Sequence, residues 1–315
     1  MNHEEFKLFR EKALRDNPSL HDGGQLNFYE EAEKWGFERI VRCETHGKHR
    51  CHAAKKIEEL TGLKDCIITQ GVRASLKGIF SQLKKEGKTI ALPEDVYPVY
   101  LALALEAGVS FTTYRQKDIA EGRNTWPQEK TILVCQPSKP WGGNPSIPFE
   151  RYNEVFVDAV YSYFHQEDGF FQNIQLDGWD NVLILNSLAK SFLLPDTLGY
   201  CYGPLRERYK ETLMSLTTDT AKLEIGYYAL LHHAGRPQEL KNILDERMKK
   251  ALNLCLKKDI SVLGNKNDPE NEVEGYFLYA KESPEELMKK GILGIPCSVF
   301  GSKKDQGTVL STLSL

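Results

Sequence analysis

Lys190 follows an apolar run, Val182-Leu183-Ile184-Leu185, and the short polar pair Asn186-Ser187. A lysine at the end of a buried strand is shielded from water, which disfavours its ammonium form and releases a nucleophilic amine able to form a Schiff base. A second apolar run, Val155-Phe156-Val157, ends in Asp158, with Tyr161 three residues on. A buried carboxylate beside such a lysine is what pyridoxal phosphate (PLP) chemistry needs, the amine holding the aldehyde and the carboxylate facing the pyridine nitrogen. Each residue also has an ordinary reading. Lys190 alone is a solvated strand end, Asp158 a helix N-cap, Gly71 the end of a strand and Tyr97 a core residue.

Parallel strands with helices between them would bring these residues together. Strand-like runs at 66–69, 89–92, 132–135, 155–157 and 182–185 alternate with helical patterns at 74–87 and 99–107. Such alternation predicts an α/β fold, a mostly parallel sheet with helices on both faces. Ligand groups then collect at the carboxyl ends of the strands, where Gly71, Gln136, Asp158 and Ser187 fall. Beyond about residue 236, helical 239–257 and 283–290 flank a strand-like 275–279, which reads as a smaller α+β unit. The expected division is 1–54 as an N-terminal segment packing with the small unit, 55–235 as the large cofactor-binding domain and 236–315 as the small domain.

Five blocks in this order resemble the class I/II aminotransferases, the fold type I PLP enzymes of the aspartate aminotransferase superfamily. They are Ile67 to Leu76 around Gly71, Ala91 to Tyr100 around Tyr97, Leu133 to Gly143 with its two prolines, Val155 to Tyr161, and Asn186 to Phe192. The resemblance implies that Lys190 holds PLP and moves the substrate's α-proton. It implies that Asp158 meets the pyridine nitrogen, that Tyr161 meets the phenolic oxygen and that Tyr97 stacks on the ring. The phosphate would sit on the amides of Gly71, Val72 and Arg73, where a glycine turn opens a helix and its dipole favours an anion, with Ser187 adding a hydroxyl. Lys139 stands where the family has an asparagine directed at the phenolic oxygen; an ammonium can donate there too.

Two arginines of the family pattern are missing. Leu198 stands eight residues after Lys190, in place of the arginine that grips the phosphate, and Leu310 in Thr308-Val309-Leu310-Ser311 takes the place of the arginine for the substrate carboxylate. A guanidinium binds such oxyanions through two charge-assisted hydrogen bonds, so its loss weakens binding unless another cation substitutes. Arg73 and Arg42 are candidates for the phosphate. With Leu310 unable to pair with a carboxylate, common α-amino acids are expected to be poor donors, and recognition falls to residues such as His46, His49, Lys139 or Trp141.

The segment Cys43 to His52 packs two thiols and three imidazoles into ten residues. Its spacing lacks paired Cys-x2-Cys or His-x3-His units, so no metal site is expected and a helix start near the active-site mouth is. The chain's 315 residues, 41% of them hydrophobic, suffice for a large core, and a net charge of −3 spread along the chain suggests neither a nucleic-acid nor a membrane surface. Seven cysteines without regular spacing fit reduced thiols, and the N-terminus lacks the apolar core of a signal peptide, so a cytoplasmic protein is expected. The resemblance implies a homodimer acting on a small-molecule amine or amino acid, an aminotransferase first. A PLP-dependent lyase, decarboxylase, oxidase or cyclase shares the same early steps, and a degenerate binding protein is the alternative outside catalysis.

Overall fold

Short, β-rich runs buried on both faces alternate with segments whose apolar residues recur every three or four positions. The computed structural model describes residues 1–37, 49–123, 125–137, 140–141, 146–162, 179–194, 197–216, 220–262, 276–302 and 305–315. Its elements run α1 (His3–Asp16), β1 (His21–Asp22), α2 (Phe28–Lys34), α3 (His49–Thr61), β2 (Ile67–Thr69), α4 (Val72–Lys85), β3 (Thr89–Pro93), α5 (Val99–Ala107) and β4 (Ser110–Tyr114). They continue through α6 (Gln116–Ala120), β5 (Thr131–Cys135), β6 (Glu154–Asp158), β7 (Val182–Ser187), α7 (Leu188–Ser191), β8 (Gly199–Tyr202), α8 (Arg206–Ser215) and α9 (Thr220–His232). The rest is α10 (Arg236–Lys257), β9 (Phe277–Ala280), α11 (Pro284–Lys289), β10 (Ile292–Leu293), β11 (Ile295–Pro296) and β12 (Thr308–Ser311).

Seven strands form one sheet in the order β2-β8-β7-β6-β5-β3-β4. The pairs β3–β4, β3–β5, β5–β6 and β6–β7 are parallel, and β8 runs antiparallel to both β7 and β2. Every residue of β5, β6 and β7 is buried, as expected of central parallel strands covered by helices on both faces. The helix α4 shows why the coverage works: Ser75, Leu76, Ile79, Phe80 and Leu83 recur at helical spacing and are the buried stripe.

β8 was not anticipated from sequence. The run Gly199-Tyr200-Cys201-Tyr202 is short, and its role is set by partners distant in the chain: Gly199 pairs with Thr69 on one side and Ser187 on the other. Strand β4 was likewise missed; three of its five residues are exposed, as befits a sheet edge.

The C-terminal elements form a second layer with the N-terminus. β1 pairs in parallel with β10, and β12 lies antiparallel between β11 and β9. Phe28 from α2 stacks on Tyr276, just before β9, with ring centroids 5.0 Å apart and planes 6° from parallel. The long helix α10 buries Leu240, Leu244, Met248, Ala251 and Cys255 along one stripe. Cys66, Cys135, Cys201, Cys255 and Cys297 are thiols rather than disulfide halves. No helix among the described residues is long and apolar enough to cross a membrane.

Candidate active site

Parallel strands deliver side chains to a common edge, and here that edge carries most of the anticipated residues. Lys190 lies in α7, directly after β7. Ser187, not Asp158, is the helix N-cap: its hydroxyl accepts the N–H of Ala189 at 2.9 Å. The Lys190 ammonium lies under three aromatic rings, 4.8 Å from the ring centroid of Tyr29, 5.5 Å from Phe28 and 5.9 Å from Tyr161. Burial pushes its pKa down to about 8, and the charge of Arg73 pushes in the same direction. Near neutrality a useful fraction of this amine is therefore the free base.

Asp158 ends β6 and is 3% exposed. Its Oδ2 accepts the hydroxyl of Tyr100 at 2.6 Å, and its Oδ1 accepts the N–H of Val160 at 3.1 Å. Burial raises the carboxyl to about 6, with the Tyr100 hydroxyl and the Val160 amide opposing that rise. Tyr161 turns back toward Lys190, and its hydroxyl is hydrogen-bonded to that of Tyr276. Burial raises both phenols well above their usual range.

The glycine turn lies alongside. Gly71 has φ +104°, a conformation only glycine adopts without strain, and caps α4 without a side-chain bond. Among the described residues an added Cβ would meet only the Thr197 carbonyl, at 3.9 Å, and none of them crowds the approach to the first amides of α4. Those amides, at Val72, Arg73 and Ala74, have no partner within the helix by its own geometry. Gly199 brings this turn against β7: a Cβ there would lie 2.7 Å from the Gly71 Cα and 2.9 Å from the Asn186 carbonyl. Gly199→Ala is thus expected to destabilise the fold by about 1–3 kcal/mol, the cost of overpacking against backbone that cannot yield. Denaturant unfolding checks this, and an unchanged midpoint would show that the sheet relaxes freely.

Arg73 is exposed, and its Nε donates to the Tyr97 hydroxyl at 2.9 Å. The guanidinium expected on the phosphate is thus engaged by the very ring expected to stack on the pyridine, and Tyr97 in turn meets Tyr100 edge-on at 5.2 Å. Arg73→Ala should raise the Lys190 pKa above about 8, because a neighbouring like charge is removed. The pH dependence of amine modification at Lys190 measures this, and an unmoved or lowered pKa would contradict it.

The two leucines behave differently from an arginine in their places. Leu198 is fully buried, and Gly226 of α9 lies so close that a Cβ there would come within 2.5 Å of its Cδ2. Leu310, expected in the place of the carboxylate arginine, is fully buried in an apolar cluster. It pairs across from Leu278, packs in the cluster of Met248, Leu287 and Ile292, and leaves Val309 and Ser311 on the opposite face of β12. Trp141 is buried edge-on against Tyr279 at 5.0 Å, with the Lys117 ammonium 5.3 Å from its ring. Lys139, Arg42, Cys43 and His46 lie outside the described residues, as does the rest of the cysteine- and histidine-rich segment up to residue 48; α3 begins at His49.

Sequence reasoning missed Tyr100, Phe28, Tyr29 and Tyr276. Tyr100 carried a signal, since it follows Tyr97 by three residues, across the single turn that opens α5. The other three come from α2 and the approach to β9, far away in the chain, and had none.

The donor set fits a phosphate-bearing pyridine aldehyde. It comprises an open helix N-terminus beside a hydroxyl, an amine held near neutrality, a buried carboxylate and two phenols. A model of the family described as aminotransferase class I and II matches residues 27–267. No curated protein sequence matches significantly. Among solved structures, an aspartate aminotransferase double mutant from Thermus thermophilus superposes with a TM-score of 0.68 at 16% identity, covering 100% of this chain and 93% of that one. A Methanococcus jannaschii protein similar in its active site to kynurenine aminotransferases gives 0.64 at 16% identity, with 98% and 91% covered. An Escherichia coli protein with a methionine aminotransferase function gives 0.63 at 15% identity, with 97% and 92% covered. At such identities the likeness to these structures is one of fold, the fold type I architecture.

Proposed function

The chain belongs to the aminotransferase class I and II family, and from that premise we propose that it is a PLP-dependent aminotransferase whose cofactor is held by Lys190. The observation that carries this reading is the placement of the buried Asp158 carboxylate at the end of β6 and of the Lys190 amine directly after the adjacent β7, with the Tyr161 ring 5.9 Å from that amine. PLP, when bound, supplies the electron sink that stabilises the carbanion left as an amine loses its α-proton. Lys190 provides the base for that proton, and its depressed pKa lets it both accept and return the proton near neutral pH. Asp158 would hold positive charge at the ring nitrogen. Tyr161 would offer its hydroxyl to the phenolic oxygen, and Ser187 with the first amides of α4 would hold the phosphate.

The same geometry bears on the substrate. Phe28, Tyr29, Tyr161 and Tyr276 give the space around Lys190 aromatic walls, while Arg73 is engaged by Tyr97 and Leu310 is buried in an apolar cluster. An unpaired carboxylate in such surroundings costs several kcal/mol, whereas an apolar or aromatic group gains from burial. Aspartate and glutamate are therefore expected to be slow donors beside amines and amino acids with aromatic or apolar side chains. A donor screen that follows loss of the cofactor absorbance tests this; turnover of aspartate or glutamate as fast as that of aromatic donors would overturn it. A homodimer belongs to the same reading, because sites of this family are completed across a twofold axis.

The decisive experiment for the cofactor is borohydride reduction of the PLP-loaded protein followed by peptide mass mapping. A pyridoxyl group on Lys190 is the expected result. Attachment at another lysine, or no uptake of PLP, would refute the proposal.

A further inference from the structure

Tyr100 lies in the first turns of α5 and is 1% exposed, as dry as the Asp158 carboxylate it touches. The 2.6 Å contact to Asp158 Oδ2 is the only side-chain hydrogen bond that the carboxylate receives among the described residues, its other oxygen being held by the Val160 amide. The neighbouring strands add no cation. β5 places the Cys135 backbone beside Asp158 and its thiol beside Tyr100, and β7 places Leu185. On the helix side Tyr97 meets Tyr100 edge-on.

A ring nitrogen facing Asp158 would share one proton with it. In a dry site the neutral pair, carboxylic acid and pyridine, competes with the ionic pair, carboxylate and pyridinium, because burial penalises both charges. A short hydrogen bond to the carboxylate stabilises the ionic pair more than the neutral one, because a bond to a charged acceptor is roughly twice as strong. Building on the cofactor assignment above, we propose that Tyr100 is a positioning residue whose hydroxyl, fixed by α5, keeps the shared proton on the ring nitrogen rather than on Asp158. The proton moves between Asp158 Oδ and nitrogen with no other change in the site. Its location decides how strong an electron sink Lys190 has to work against.

The test uses the full-length protein loaded with PLP labelled with 15N at the ring nitrogen, as wild type and as Tyr100→Phe. The wild-type nitrogen should resonate as a protonated pyridinium at neutral pH. In Tyr100→Phe the resonance should move toward that of neutral pyridine, and kcat should fall about tenfold or more, the loss expected for one hydrogen bond to a charged group, with KM for the amine changed less than about twofold. Leu103→Ala supplies the packing control, since it opens the core on the same helix but leaves the Tyr100 hydroxyl in place, and it should not shift the resonance. A nitrogen as fully protonated in Tyr100→Phe as in wild type, or an equal shift in Leu103→Ala, would overturn the role of Tyr100 while leaving PLP at Lys190 intact. Failure of the wild type to take up the label would overturn both. Should Tyr100→Phe not fold, 4-aminophenylalanine at position 100 keeps the shape with a weaker donor; a shift in the same direction supports the proposal, and none refutes it.

Discussion

Lys190→Met is expected to lower turnover by about a thousandfold or more, the scale of a lost positioned base, and to stabilise the cofactor-free protein at neutral pH. Both effects have one cause. The Lys190 amine lies among Phe28, Tyr29 and Tyr161, and burial holds its pKa at about 8 against an ordinary 10.5. Below about pH 8 the lysine is protonated folded and unfolded, so the folded state bears the full penalty of burying an ammonium. Between about 8 and 10.5 the folded state sheds the proton first, and the penalty fades. The wild type should accordingly gain stability relative to Lys190→Met as pH rises through that window. Thermal unfolding of the two cofactor-free proteins at pH 7 and pH 10 measures the difference. A variant no more stable than wild type at pH 7, or one that retains activity within about tenfold, would contradict this account of the residue.

Asp158→Asn should cost about a hundredfold or more in turnover, because an amide cannot hold charge at a ring nitrogen and electrostatic stabilisation of this kind dominates many active sites. It should again stabilise the cofactor-free fold, with the opposite pH dependence. The carboxyl is raised to about 6 from an ordinary 3.8. Above about pH 6 it is charged in both states, and the folded state bears the whole cost of a buried anion. As pH falls from about 6 to 3.8 the folded state takes up a proton before the unfolded state does, and the cost is relieved. The advantage of Asp158→Asn should therefore be largest at neutral pH and shrink on acidification, as measured by denaturant midpoints across that range. The Tyr100 hydroxyl can still donate to the asparagine carbonyl, which keeps the variant foldable. An advantage that grows on acidification would show that Asp158 is stabilised by a partner other than Tyr100 and Val160.

Both residues thus hold groups that the fold by itself disfavours, an amine and a carboxylate kept near neutrality from opposite sides. Groups shifted toward neutrality by burial are what proton-transfer catalysis requires, and they are seldom retained for stability.

The chain's own residues determined the α/β order, the boundaries of α5 at Val99–Ala107, the strand ends that carry Asp158 and Ser187, and the helix behind Gly71. These are local consequences of apolar periodicity, strand length and a glycine that must adopt positive φ, so a window of ten to twenty residues suffices to read them. The partners of those residues belong to the tertiary structure alone. Tyr29 reaches Lys190 from α2, Tyr276 reaches Tyr161 from the approach to β9, and Gly199 seats the glycine turn against β7. The orientation of Leu310 was likewise beyond the sequence, because a one-residue shift in strand register moves a side chain to the other face of the sheet. Side-chain types specify what chemistry is available locally, but how dry an amine is, and which phenol donates to which carboxylate, depends on contacts between segments far apart in the chain.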